Sequence, residues 1–115
     1  MKTKRSLLIA LLAAFSLFAM VAPSARAGDV AATIRFIDRK WSPLLVTIPA
    51  NRPTTIRVAN DSKETIEFES FKLNREKTVS PGETIIVRLP ALAPGEYDFY
   101  DDFHQDVPQG TIVAK

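Results

Sequence analysis

Two glutamates one residue apart, Glu67 and Glu69, and a downstream Asp101-Asp102-Phe103-His104 segment are the residues of this sequence best suited to chemistry. Their neighbours Ile66 and Phe68 are apolar, so an extended strand buries those two and turns both glutamates to the opposite face. Like charges at that spacing repel unless a cation lies between or beside them. Glu76, Asp101, Asp102 and His104 are available to complete a shell around such an ion. Carboxylates with one imidazole suit iron, manganese or zinc, and oxygen donors favour Fe(III) over Fe(II) because it is the harder ion. Copper(II) binds the same donors at least as tightly, so the donor types leave the identity of the ion open.

The same residues also fit a plainer description. Glu67 and Glu69 read as a solvated strand face neutralised by Lys72, Arg75 or Lys77, and Glu76 as a surface charge between two cations. Asp101 and Asp102 can cap a turn through their own backbone, and a lone loop histidine is commonly just exposed. A calcium loop through Asp98, Asp101, Asp102 and Asp106 fits no EF-hand spacing and lacks the required glycine.

Composition removes several classes of function. The 115-residue chain has no cysteine and a single histidine. It therefore holds no disulfide scaffold, zinc-thiolate site, iron–sulfur cluster or cysteine nucleophile, and no site that needs two imidazoles from one chain. No recognisable motif pairs a nucleophile with His104, which leaves a hydrolase without support. The formal charge of +2 comes from the first segment. Lys2, Lys4 and Arg5 precede an uncharged run from Leu7 to Ala22, and Pro23-Ser24 leads into Ala25-Arg26-Ala27. Residues 1–27 read as a bacterial secretory signal peptide ending in an A-x-A cleavage pattern. Its apolar run falls short of the roughly 20 residues that span a membrane as a helix. Without that segment 11 basic and 13 acidic groups remain, so the chain carries no nucleic-acid footprint. The expected compartment is the periplasm, and residues 28–115 form the expected domain.

What positions the candidate donors is a series of short strands. Apolar and polar residues alternate through Thr33–Phe36 and Leu44–Ile48, with further runs at residues 54–59, 65–69, 83–89, 96–100 and 111–114. Pro49-Ala50-Asn51-Arg52-Pro53, Asn60-Asp61-Ser62, Ser80-Pro81-Gly82 and Ala93-Pro94-Gly95 punctuate them as turns. Seven or eight such strands without an amphipathic helix predict one all-β domain, an antiparallel sandwich. Loops at one end of it gather the Asn60 region, the Glu76 region and the segment after Tyr100. Tyr97 and Phe99, alternating with Asp98 and Tyr100, read as core patterning, and Trp41 as a packing residue near the loop end.

The stretch from Gly95-Glu96-Tyr97-Asp98-Phe99 through Tyr100-Asp101-Asp102-Phe103-His104-Gln105 to Gly110-Thr111-Ile112-Val113 resembles the ligand loop of cupredoxins, the blue-copper family. That family's pattern is G-x-Y-x-F-x-Cys-x-x-His, followed by a Met shortly before G-x-[IV]-x-V. Asp101 stands at the cysteine position, His104 matches the histidine, and Gln109 lies near the axial methionine position. Trp41-Ser42-Pro43, Ile48-Pro49-Ala50, Val58-Ala59-Asn60, Val79-Ser80-Pro81-Gly82 and Leu92-Ala93-Pro94-Gly95 complete a frame similar to that family over essentially all of residues 31–115. The resemblance implies an all-β, cupredoxin-like Greek-key β-sandwich of seven to eight strands. A blue-copper centre needs a trigonal His₂Cys set with a weak axial ligand, which this composition cannot supply.

The chain is more similar to the EfeO-type cupredoxin-like domain found in periplasmic components of bacterial ferrous-iron uptake, where a Glu-rich segment replaces the copper loop. Glu67-Phe68-Glu69-Ser70, Leu73, Arg75-Glu76-Lys77, Asp102-Phe103-His104 and Gly110-Thr111-Ile112-Val113 carry that match. In its stand-alone, signal-bearing form it resembles the FtrB-type protein of the same transport class. The resemblance implies a metal site of Glu67, Glu69, Glu76 and His104, joined by Asp101 and Asp102. It implies iron as the metal, with copper as a second candidate, and oxidation of Fe(II) to Fe(III) as the candidate reaction. It implies handover to an iron permease and a periplasmic iron-binding protein, with membrane contact only through such a partner. Members of that type place a Cys or an acidic residue near Trp41 and Ser42, and this chain offers neither for a second, copper-type site. The competing expectation is a metal-free sandwich that docks on a periplasmic or membrane partner. It requires an exposed apolar patch around Trp41 and Phe103.

Overall fold

The computed structural model describes residues 29–115, together with the isolated Ser16 and Ala19, so the signal peptide expected over residues 1–27 otherwise lies outside the described residues. Nine strands make up the described part: β1 (Val30–Ile37), β2 (Lys40–Ser42), β3 (Leu45–Ile48), β4 (Thr54–Asn60), β5 (Ile66–Ser70), β6 (Arg75–Val79), β7 (Thr84–Leu89), β8 (Gly95–Asp101) and β9 (Gly110–Ala114). No helix occurs among these residues. The strands form two sheets, ordered β2-β1-β4-β7 and β3-β9-β8-β5-β6.

Alternation dictates which residues meet between the sheets. Ile34 and Phe36 on β1, Ile56 and Val58 on β4, Ile66 and Phe68 on β5, and Phe99 on β8 are completely buried. Trp41 on β2 lies among them, with its ring centroid 5.0 Å from Phe36, 5.2 Å from Phe99 and 6.0 Å from Phe68, each edge-on. Edge-to-face contacts of this kind add to the stabilisation from area burial. Trp41 is 2% exposed while Phe103 is 51% exposed, so the patch expected around both residues for a docking module does not form.

Two expectations from sequence need correction. The sandwich is mixed and not purely antiparallel, because β1 runs parallel to β4 and β3 parallel to β9. After β2 the chain crosses to the second sheet as β3 and returns as β4, entering beside β1 from the same end. Alternation reveals which face is buried but not strand direction. The runs read from sequence also omit β2 and β6. β2 follows a two-residue turn, Asp38-Arg39, in which both residues take positive φ (51° and 56°) without a glycine to signal it. β6 reads Arg-Glu-Lys-Thr-Val and is apolar only at Val79, so it forms by pairing with β5 and not by its own pattern.

β6 decides the geometry of the candidate donors. It places Glu76 directly opposite Glu69, and β8 places Tyr100 opposite Glu69 on the other side. The approach of β9 to β8 depends on Gly110, which sits over the Phe99 ring so closely that any Cβ there would overlap it. Phe99 is itself completely buried and cannot swing away. Gly110→Ala is therefore expected to destabilise the fold by about 2 kcal/mol, the cost of overpacking a tight core. A shift of the urea midpoint at unchanged slope measures it, and a wild-type midpoint would contradict this packing.

Candidate metal centre

Glu67, Glu69 and Glu76 each present a carboxylate oxygen within 4.8 Å of the other two. They lie on the outer face of the second sheet, because β5 turns Ile66, Phe68 and Ser70 inward. Asp102 continues the ladder past β8, its N–H donating to the Glu67 carbonyl at 3.1 Å, and so stands beside Glu67 on that same face. One Asp102 oxygen accepts from Gln105 Nε2 at 2.9 Å.

The electrostatics of this face are unbalanced. Glu67 is only 7% exposed, and its Oε1 is buried without a hydrogen-bond partner. Among the described residues no ion pair reaches Glu67, Glu69 or Glu76. The neutralisation expected from Lys72, Arg75 or Lys77 is absent for geometric reasons. Arg75 and Lys77 lie opposite Ser70 and Phe68 in the register, which turns them to the other face of β6. Arg75 is engaged with the Arg88, Leu73 and Asn74 carbonyls, and Lys72 Nζ donates to the Glu96 carbonyl at 3.2 Å. Glu67 consequently holds its proton up to about pH 7, through a hydrogen bond shared with Glu76, burial, and the charges of Glu76, Asp102 and Glu69. Desolvation and contact with Glu69 likewise push the Tyr100 hydroxyl above the ordinary phenol range.

Asp101 and His104, expected in the same shell, belong to a different network on the inner side of the sheet. The Asp101 carboxylate is fully buried. Its Oδ1 accepts from the backbone N–H of Glu67 (2.9 Å) and of Phe103 (3.0 Å), and its Oδ2 lies 2.6 Å from His104 Nδ1. The imidazole is stacked near Phe36, and its Nε2 lies 3.2 Å from Glu64. Glu64 and Asp106 in turn flank Arg39, whose hydrogen bond holds the Asp106 carboxyl below its usual range. Buried Asn60 secures this corner by donating to the Glu64 and Val79 carbonyls at 2.7 and 3.0 Å.

A tetrahedral ion with bonds near 2.0–2.2 Å keeps its donors about 3 Å apart or more. Asp101 and His104, at the positions of the blue-copper cysteine and histidine, instead bond each other at 2.6 Å. Gln109, expected near the axial position, is exposed, and Val107 fills the adjoining core position at 5% exposure. The chain's residues thus do not fit a blue-copper ion, whereas the outer carboxylates fit a hard cation. Sequence reading missed Tyr100 at the carboxylate face and Glu64 beside the imidazole. The alternation that turns Tyr97 and Phe99 inward could have placed Tyr100 outward with Asp98.

Stability should follow pH with a definite sign. Between about pH 4.5, where an ordinary glutamate ionises, and about pH 7, the folded chain keeps a proton on Glu67 that the unfolded chain has lost. The ion-free protein is therefore expected to lose stability as pH rises across that window, and Glu67→Gln to flatten the dependence. Melting curves across the window test this, with an unchanged slope in the variant as the contrary result. Asp101→Ala, by contrast, strands two N–H donors and the imidazole and should cost about 3 kcal/mol in urea unfolding. A loss near zero would show that the network is not what holds this end together.

Residues 8–114 match the family model of the cupredoxin-like domain. The uncharacterized protein RP394 of Rickettsia prowazekii (strain Madrid E) is 40% identical over 86 residues, covering 75% of this chain and 67% of that protein. Among solved structures, a purple cupredoxin from Nitrosopumilus maritimus superposes with a TM-score of 0.60 at 20% identity, covering 73% of this chain and 99% of that one. Amicyanin from Paracoccus versutus gives 0.59 at 17% identity, covering 74% and 81%. The metal-binding domain of the Cu(I)-exporting P-type ATPase CopA of Streptococcus pneumoniae D39 gives 0.66 at 11% identity, covering 82% and 92%. At these identities the structural likenesses speak for the fold alone, and the family match extends over nearly the whole sequence. The chain belongs to the cupredoxin-like domain family.

Proposed function

We propose that this protein is an exported, periplasmic iron carrier that holds the ion on Glu67, Glu69 and Glu76, with Asp102 beside them. The observation that carries this reading is the buried Glu67 oxygen without a partner, facing two further carboxylates and, among the described residues, no cation in ion-pair contact. A buried charge left without compensation is costly, and either a proton or a metal ion relieves it. An all-oxygen donor set suits hard cations, and among redox states of iron it favours Fe(III), which eases oxidation of bound Fe(II). The signal-like N-terminus and the Glu-rich likeness to the EfeO-type domain support periplasmic iron uptake, with delivery to an iron permease and a periplasmic iron-binding protein. In this reading iron is cargo.

Anaerobic Fe(II) titration by calorimetry tests the proposal. One ion is expected to bind per chain, and the Glu67→Gln, Glu69→Gln double variant should lose the binding heat. Because the ion binds only the folded chain, Fe(II) at about 100 times its Kd should add about 2.7 kcal/mol and raise Tm. Metal affinity should also climb with pH up to about 7, where Glu67 releases its proton. Unchanged melting curves in saturating Fe(II), Mn(II) and Cu(II) would remove the carrier reading.

A further inference from the structure

Across the outer face of the second sheet, Glu76, Glu69 and Tyr100 stand side by side on three neighbouring strands. Glu69 is opposite Glu76 in the β5–β6 register and opposite Tyr100 in the β5–β8 register. Directly opposed side chains on one face have Cβ atoms about 4.5–5.5 Å apart, so Glu69 stands within reach of both Glu76 and Tyr100. The ring is half-buried, and a shallow cleft lined by Tyr100, Gln105 and Gln109 opens next to it. The buried, unpartnered Glu67 oxygen belongs to this same face. The donor set is thus a row of two carboxylates and one phenol, with Glu67 and Asp102 one step along.

We propose that Tyr100 is a ligand of this site and makes it selective for trivalent iron over divalent ions. The inference rests on the carboxylate reading above and extends it to a residue outside the carboxylate set. A phenolate oxygen is a harder and stronger donor than a carboxylate, and it gains most from an ion of high charge. As the Fe(III)–oxygen bond forms, the phenolic proton leaves to solvent, with no change of oxidation state. Fe(III) held by phenolate has a visible ligand-to-metal charge-transfer band. Fe(III) held by carboxylates alone has none, and neither do phenolate complexes of Mn(II).

The chain supplies its own control, because it has two tyrosines. Tyr97 faces the other way along β8 and donates its hydroxyl proton to the Ala93 carbonyl at 2.8 Å. The experiment adds Fe(III) citrate to the protein, removes excess by desalting, and records bound iron, visible absorption and resonance Raman spectra. Wild type and Tyr97→Phe are expected to retain iron with a visible band and tyrosinate Raman modes. Tyr100→Phe should lose both signals and bind Fe(III) about tenfold or more weakly, with its Mn(II) affinity unchanged. Iron retained by wild type without the band, or a band that survives in Tyr100→Phe, would overturn the role of Tyr100 and leave the carboxylate site standing. No retained iron in wild type would overturn the carboxylate reading as well.

Discussion

The Asp101 carboxylate is the point on which this end of the sandwich depends. Fully buried, it binds the N–H of Glu67, the N–H of Phe103 and the imidazole of His104. Charge-assisted hydrogen bonds of this kind are stronger than neutral ones, and in a dry interior they tolerate little distortion. One side chain therefore fixes strand β5, the turn after β8 and the histidine loop against one another. Its bond to the Glu67 backbone runs from β8 across to β5, so an inward-facing residue sets the strand whose outward face carries the glutamates. The two groups into which the candidate donors divide are thus mechanically joined although they share no ligand position.

Around that anchor, the inner and outer faces of one sheet obey opposite rules. Inside, Trp41 packs edge-on against Phe36, Phe68 and Phe99, and every polar group of the Asp101 network is answered. Outside, carboxylates crowd together and their nearest cations point away. Natural sequences keep local preferences consistent with the global fold, and departures from that consistency concentrate where function requires them. Glu67 is such a departure. A glutamine there would relieve the repulsion without changing the shape of the face.

Much of this was legible in the sequence, and the remainder was hidden for identifiable reasons. The alternation around Ile66 and Phe68 marked Glu67 and Glu69 as neighbours on one face, because period-two patterning is a property of a single strand. The position of Glu76 against Glu69 is a matter of register across β6, a strand with almost no apolar signature of its own. Arg75 and Lys77 looked like natural counterions because adjacency in sequence suggests proximity, yet adjacent residues of a strand point to opposite faces. Asp101 and His104 were recognisable as donor types. That they satisfy each other and not an ion follows from a 2.6 Å separation that no spacing in the sequence discloses.

That closed pair bears on mismetallation. Copper outcompetes the other divalent first-row ions at almost any open site, and imidazole nitrogen is among the donors that help it most. Here the chain's single histidine has one ring nitrogen committed to a buried aspartate and the other set against Glu64. A cupredoxin-like scaffold that retains its histidine in this way withholds it from copper and leaves only oxygen on its open face. If the open face binds an ion as proposed, discrimination between metals rests on what the protein keeps shut as much as on what it presents.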